Sequence, residues 1–305
     1  MVGGGLAGLL LAYNIRDSDP IVFDRRRFPG KKCTGVISRK TFLDLGVSRQ
    51  FIDREFKVIE IKYDNKYKLY VNTDVIRLNR EKLEIWLDEE VKTRRPRDVI
   101  INGNTVISGN EKYEGIVVDA GGWKGNAKWI KAIEYLVEPI NEENIVVYIH
   151  SKNVGGFSWI VPLPYGTLVG AISYSDPRLF LPKINKRILD IHGGAIPRVS
   201  PISNIKTLKF GDSTGLIKTF TGGGIFGIAS LLHPLVNGIR SGKFNEYYSK
   251  YKILAKEIRR QYYITRFLEF TWKTLPVLFK LYNDKTLNVS EEFDLHSLLI
   301  RRFPH

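Results

Sequence analysis

Cysteine, methionine and glutamine are almost missing from this chain: Cys33 and Met1 stand alone, and Gln50 and Gln261 are the only glutamines. A single cysteine excludes an internal disulfide and points to a reducing compartment. Few oxidisable side chains beside abundant Lys, Ile and Tyr lean towards a thermophilic source. No run of ~18 apolar residues occurs, so no membrane-spanning helix is expected. No signal-peptide pattern opens the chain either, and the expected location is cytoplasmic, with peripheral contact on the inner face of the membrane left open. His150, His192 and His233 show no ligand spacing and read as structural; no metal site and no Ser/His/Asp grouping is expected.

Acidic residues are also in deficit. The 47 Lys and Arg outnumber 32 Asp and Glu, giving a formal charge of +15. Such a balance suits a solvated thermophile surface, an anionic membrane or nucleic acid. The basic residues are spread along the chain, clustering only at 25–27, 31–32 and 92–97. No nucleic-acid-binding pattern accompanies them, so no nucleic acid partner is expected. At 305 residues, 43% hydrophobic and 26% charged, the chain has the composition of a globular protein with one large or two moderate domains.

What is present is glycine in two dense clusters. The first is Gly3-Gly4-Gly5-Leu6-Ala7-Gly8, a G-x-G-x-x-G string followed by the apolar run Leu9–Tyr13 and the β-like stretch Ile21-Val22-Phe23-Asp24. In a dinucleotide-binding βαβ unit the first glycine makes the turn, the second admits the pyrophosphate and the third lets helix and strand pack closely. The helix start then meets phosphate with free N–H groups and partial positive charge. Asp24 lies 21 positions after Gly3, where an acid receives ribose hydroxyls. Only Met1 and Val2 precede Gly3, so either the start lies upstream or the central strand is unusually short.

Further along, residues 57–75 alternate around Asp64-Asn65 as a hairpin. Residues 79–92 form an amphipathic helix, N-capped by Asn79, with Leu83, Trp86, Leu87 and Val91 on one side. A second hairpin turns at Asn102-Gly103-Asn104, and a buried strand at 116–118 ends on Asp119-Ala120-Gly121-Gly122. Residues 133–174 are strand-rich, and a helix is expected at about 183–192. The second glycine cluster follows: Gly211-Asp212-Ser213-Thr214-Gly215, then Gly222-Gly223-Gly224-Ile225-Phe226-Gly227. Its G-x-G-x-x-G spacing lacks a leading strand, so it reads as an anion-friendly start to a helix at 225–240 rather than a second dinucleotide site. The remainder, 243–305, reads as helical, rich in aromatic and basic residues and interrupted by Pro276.

Taken in order, the first glycine turn, Asp24-Arg25, Arg80 with Leu83-Glu84 and Leu87, Asp119–Gly122, Gly211-Asp212 and the glycine-led helix resemble flavoproteins of the p-hydroxybenzoate hydroxylase type. Within that group the chain looks most like the geranylgeranyl reductase family, on Cys33, the Phe157-x-Trp159-x-Val161-Pro162 stretch, the 221–224 turn and the tail at 243–251. The resemblance runs from Met1 to about Arg266. It implies an α/β fold. A Rossmann-type FAD-binding domain (1–46, 77–125 and 200–242) carries an inserted antiparallel-sheet substrate domain (47–76 and 126–199) and a C-terminal helical region (243–305).

The resemblance also implies FAD as cofactor. Gly3, Gly5, Gly8, Asp24 and Arg25 would hold the ADP half, Arg80 would contact the cofactor, and Gly211-Asp212 would receive a ribityl hydroxyl. Gly222, Gly223 and Gly224 would face the pyrimidine edge of the flavin. The implied activity is reduction of C=C bonds in polyprenyl chains of archaeal-type lipids or quinones. Cys33, placed beside the flavin, is the candidate catalytic residue, helping to deliver the proton or shaping the reacting face; a buried thiol acting as a small hydrophobe is the alternative. Phe157, Trp159 and Pro162 would line a polyprenyl pocket, or form an aromatic core. The chain departs from the family in Thr34-Gly35-Val36 after Cys33, in Phe157 and Val161 where tyrosine and phenylalanine are usual, and in its shorter length.

Two other functions share this fold: a flavin monooxygenase, and an electron carrier or partner subunit that reduces no alkene. An RNA-binding flavoprotein is the weakest reading. The electron donor, whether NAD(P)H, ferredoxin or a quinol, is not legible. Residues 262–282 mix Tyr, Phe and Trp with Arg266, Lys273 and Lys280, as an interfacial helix on anionic lipid would, or as a helix packed on the flavin domain would.

Overall fold

The computed structural model describes residues 1–203, 205 and 207–289. Its N-terminal layer is a parallel sheet built from very short strands. Val2 contributes a single bridging residue, pairing in parallel with Phe23 on one side and Asp119 on the other. Val2 is the one residue of this central strand among the described residues. After helix α1 (Leu6–Asn14) the chain enters strand β1 (Ile21–Phe23). Strand β2 (Val36–Ser38) and helix α2 (Arg39–Leu45) lead to the long hairpin β3 (Ile52–Tyr63) and β4 (Tyr67–Leu78). Asp64 and Asn65 take positive φ angles of 46° and 55° at its turn, a conformation these two residue types tolerate best after glycine.

Helix α3 (Arg80–Glu90) starts at Asn79, whose side chain accepts from the Lys82 N–H at 3.0 Å, so the expected cap is the observed one. Then come β5 (Lys92–Arg94), the small meander β6 (Ile100–Asn102), β7 (Thr105–Ser108) and β8 (Glu111–Glu114), and β9 (Val118–Asp119). Strands β10 (Lys128–Val137), β11 (Ile145–Ile149), β12 (Phe157–Leu163), β13 (Gly166–Ser173) and β14 (Ile188–Arg198) complete the sheet-rich middle. Strand β15 (Leu208–Lys209) returns to the first layer beside β9, and β1 pairs with β5. Helices α4 (Ile225–Ser241), α5 (Asn245–Phe270) and α6 (Leu275–Leu281) and strand β16 (Thr286–Asn288) follow.

Among the described residues the large sheet has nine strands, ordered β14-β10-β13-β12-β11-β3-β4-β16, with β2 also on β4. It is mixed: β11 runs parallel to β3, and β16 parallel to β4. Among the described residues the buried apolar side chains form a small cluster of Val2, Phe23 and Val106 and two large cores. Leucines of α1, α3 and α4 with Phe51, Phe210 and Tyr247 fill one; the concave sheet residues with Phe220, Leu268, Trp272 and Phe279 fill the other.

Two expectations are corrected. Residues 183–192 are not a helix; from Ile188 they form β14, antiparallel to β10. Ile188, Leu189 and Ile191 are exposed, so their apolar pattern did not mark a buried helical face, and the open edge of β10 takes them as a strand. The tail is not helical throughout, because β16 adds to the sheet beside β4. Pro276 stands in the first turn of α6, where its missing N–H costs nothing. The end of the tail, 290–305, lies outside the described residues.

Candidate active site

The first turn is held by contacts that only glycine permits. A Cβ on Gly3 would lie 2.3 Å from the Ala120 carbonyl oxygen, and one on Gly8 would lie 1.9 Å from that of Gly3. Gly5 caps α1 without a side-chain bond, and no acid stands in the first helical turn. Instead, two guanidinium groups converge on the turn: a Cβ on Gly5 would have Arg26 Nη2 at 3.5 Å and Arg80 Nη2 at 3.9 Å. Two cations over the start of α1 make a cradle for a diphosphate. That is a fit to the pyrophosphate of FAD read from this chain's own atoms.

Glu84 organises the cradle. It is fully buried and accepts from Leu6 N–H (2.9 Å), Lys31 N–H (2.8 Å) and Arg80 Nε (2.7 Å). Burial opposes the charge on Arg80, but Glu84, with Cys33 and Asp212 in electrostatic reach, holds the guanidinium above its ordinary pKa. Arg80 is thus fastened to the first turn through Glu84, which also holds the Leu6 amide.

Asp24 follows β1 as expected and is buried. Gly4 N–H donates to its Oδ2 at 2.7 Å and Arg26 N–H to its Oδ1 at 2.7 Å; Arg95 Nη1 lies 3.1 Å from Oδ2. Burial alone would raise its pKa, yet Arg26 and then Arg95 carry it below the usual carboxylate range. A ribose hydroxyl reaching Asp24 has to share it with these two arginines. Arg25 is exposed; the arginine that folds back on the turn is Arg26, donating to the Gly4 carbonyl at 3.0 Å.

The second cluster packs directly on the first. Gly211, at φ 71°, would place a Cβ 2.6 Å from that of Ala7 on α1. Ser213 Oγ donates to the Asp119 carbonyl at 2.6 Å, fastening this turn to β9. Asp212 lies against Gly224, where a Cβ would come within 2.2 Å of Oδ1. Gly222 turns at φ 77°, its Cβ position 2.9 Å from Ile196 of β14. Gly224 caps α4 with no side-chain bond, so a second bare helix start faces the same space.

The large sheet supplies the opposing wall. Phe157, Trp159 and Val161 share one face of β12, and Phe157 stacks on Phe220 with ring centroids 5.5 Å apart. The Trp159 indole lies across Gly170, where a Cβ would be 2.3 Å from Cζ2, and its Nε1 donates to Glu134 Oε2 at 2.6 Å. Pro162 falls on the opposite face, its carbonyl accepting from Arg54 at 3.3 Å.

Arg26, Arg95 and Glu134 have no site role in the sequence reading, where Glu84 stands only as part of the Arg80 motif and His192 as a structural histidine. For Glu84 a signal exists: it stands four residues after Arg80, on the stripe of Leu83 and Leu87. Glu134 and His192 carry none, because they meet only through the β10–β14 register.

These elements make an α/β fold that is also found in solved flavoproteins. Among solved structures the chain is similar to a geranylgeranyl bacteriochlorophyll reductase-like protein of Thermoplasma acidophilum. The TM-score is 0.79 at 19% identity, over 98% of this chain and 93% of that one. It is also similar to PqsL of Pseudomonas aeruginosa, solved with 2-aminobenzoylacetate, with TM-score 0.73, 13% identity and coverage of 92% and 98%. A third is the flavin-dependent brominase Bmp2, with TM-score 0.64, 13% identity and coverage of 92% of each chain. No protein-family model matches the chain, and no curated protein sequence matches it.

Proposed function

We propose that the protein is an FAD-dependent reductase of C=C bonds in polyprenyl chains. One observation carries the FAD part: the two glycine clusters pack on each other, Gly211 against Ala7 of α1 and Asp212 against Gly224, which makes them a single cradle. Bound there, FAD would supply the hydride that an unactivated alkene needs. The chain's own residues do the rest. Arg26 and Arg80 neutralise the diphosphate, Asp212 accepts a ribityl hydroxyl, and the bare start of α4 stabilises negative charge on the reduced ring. Phe157, Trp159 and Phe220 offer the apolar wall that a prenyl chain requires. The similarity to a geranylgeranyl bacteriochlorophyll reductase-like protein favours reduction, whereas PqsL, described as a probable FAD-dependent monooxygenase, keeps monooxygenase chemistry as the second reading.

The test is to purify the protein, identify its cofactor and any co-purified lipid by mass spectrometry, and assay that lipid's reduction with dithionite under anaerobic conditions. Saturated product supports the reading. Oxygen-dependent NAD(P)H consumption with no alkene reduced favours a monooxygenase, and a flavin that cycles with neither outcome favours an electron carrier. Cys33 lies within electrostatic reach of Arg80 and shapes the reacting face. Cys33→Ala is expected to keep FAD and slow alkene reduction at least about tenfold; unchanged turnover removes the thiol from the mechanism.

The substrate's source is an anionic membrane surface. Tyr263, Phe267 and Phe270 lie at i, i+4 and i+7 on α5 and are 65%, 65% and 88% exposed. Val277 and Leu281 extend the patch on α6, with Arg266, Lys273 and Lys280 around it. Leu268, Trp272, Leu275 and Phe279 on the inner side belong to the sheet core, so truncating the tail would unfold the domain. The double substitution Phe267→Asp and Phe270→Asp instead spares that core. It is expected to abolish flotation with phosphatidylglycerol vesicles while flavin stays bound; undiminished flotation counts against the surface.

A further inference from the structure

Glu134 is where three elements meet. His192 stands directly opposite it across the β10–β14 pair, with Nε2 2.8 Å from Oε1. Trp159 Nε1 donates to Oε2 at 2.6 Å from β12, and the Thr34 hydroxyl donates to the same oxygen from the segment after Cys33. Glu134 is 3% exposed, and His192 is the one ionisable side chain hydrogen-bonded to it among the described residues.

A carboxylate only accepts hydrogen bonds, so the ring proton facing it sits on Nε2. Any second proton then has one place to go, Nδ1. That atom is buried and has no hydrogen-bond partner among the described residues, which is rare for a buried polar group. His192 shares its strand face with Ile196, which packs on Gly222. Thr34 ties the other side of the pair to the Cys33 segment. The pair therefore lies between the segment after Cys33 and, by way of Ile196, the Gly222 turn.

We propose that His192, held in the Nε2–H tautomer by Glu134, delivers the proton of the reaction from Nδ1. The inference rests on the reductase reading and names its acid. One alkene carbon takes the hydride with its electron pair from reduced FAD, which is oxidised. The other carbon takes the Nδ1 proton as the π bond breaks. The imidazolium becomes neutral imidazole and recovers its proton from water. Glu134 and Thr34 are positioning residues. The charged groups nearest the pair are Asp190, two residues earlier on β14, and Lys32, which meets Asp190 at 2.6 Å.

The test uses holoenzyme with dithionite and a polyprenyl substrate, comparing wild type with His192→Gln and Glu134→Gln. His192→Gln is expected to lower kcat about 100-fold or more with little change in KM. Nitrogen-15 spectra of histidine-labelled protein give a readout independent of turnover: wild type shows the Nε2–H tautomer at His192, and Glu134→Gln loses that bias. A His192→Gln enzyme with wild-type kcat overturns the inference alone, as does an Nδ1–H tautomer in wild type. A wild type that reduces no alkene overturns the reductase reading and this inference with it.

Discussion

Glu84→Ala is expected to destabilise the protein by about 3–5 kcal/mol and to leave it unable to hold FAD. The carboxylate is fully buried and receives three donors: the Leu6 and Lys31 amides and Arg80 Nε. Removing it strands two amides and leaves the guanidinium without its closest counter-charge, in a site too enclosed for water to compensate fully. Glu84 is also what ties Arg80 to the start of α1, so the cradle should loosen along with the fold. Glu84→Gln keeps an acceptor and the side chain's volume, and should fall between wild type and alanine. Urea unfolding followed by far-ultraviolet circular dichroism measures the loss. An alanine variant with an unchanged midpoint would mean that the buried carboxylate contributes nothing net.

Gly224→Ala should separate binding from folding. At Gly224 φ is −100°, a backbone that alanine adopts without strain. Its Cβ, however, would stand 2.2 Å from Asp212 Oδ1, so the carboxylate must swing away from the start of α4. FAD affinity is expected to fall at least about tenfold, or ~1.4 kcal/mol, while the cofactor-free protein unfolds close to wild type. Flavin fluorescence titration reads the first quantity and thermal unfolding the second. Gly211→Ala is the contrast. There φ is 71° and the methyl group would meet Ala7, so stability should fall as well. Wild-type FAD affinity in Gly224→Ala would place the cofactor away from Asp212.

Much of the scaffold was legible residue by residue. The Asn79 cap, the Asp64-Asn65 turn and the helix after Gly224 are local decisions, made within a few residues by a side chain that bonds its own backbone or a glycine that permits a turn. The helix expected at 183–192 failed for a reason of the same kind. An exposed apolar stretch has no period that distinguishes edge strand from helix, and the partner that settles the matter, β10, lies some sixty residues earlier in the chain.

The sequence by itself determined that two glycine turns would exist, that one would start a βαβ unit ending on Asp24, and that the chain would follow the order of a flavoprotein. Those features depend on near neighbours and on residue types with no substitute. Only the tertiary structure decided which charges share the site. Glu84 reaches Leu6 across 78 positions, and Glu134 reaches His192 across 58. Neither pairing leaves a mark in composition or periodicity, because each follows from strand register and helix packing, which are set by burial over the whole molecule.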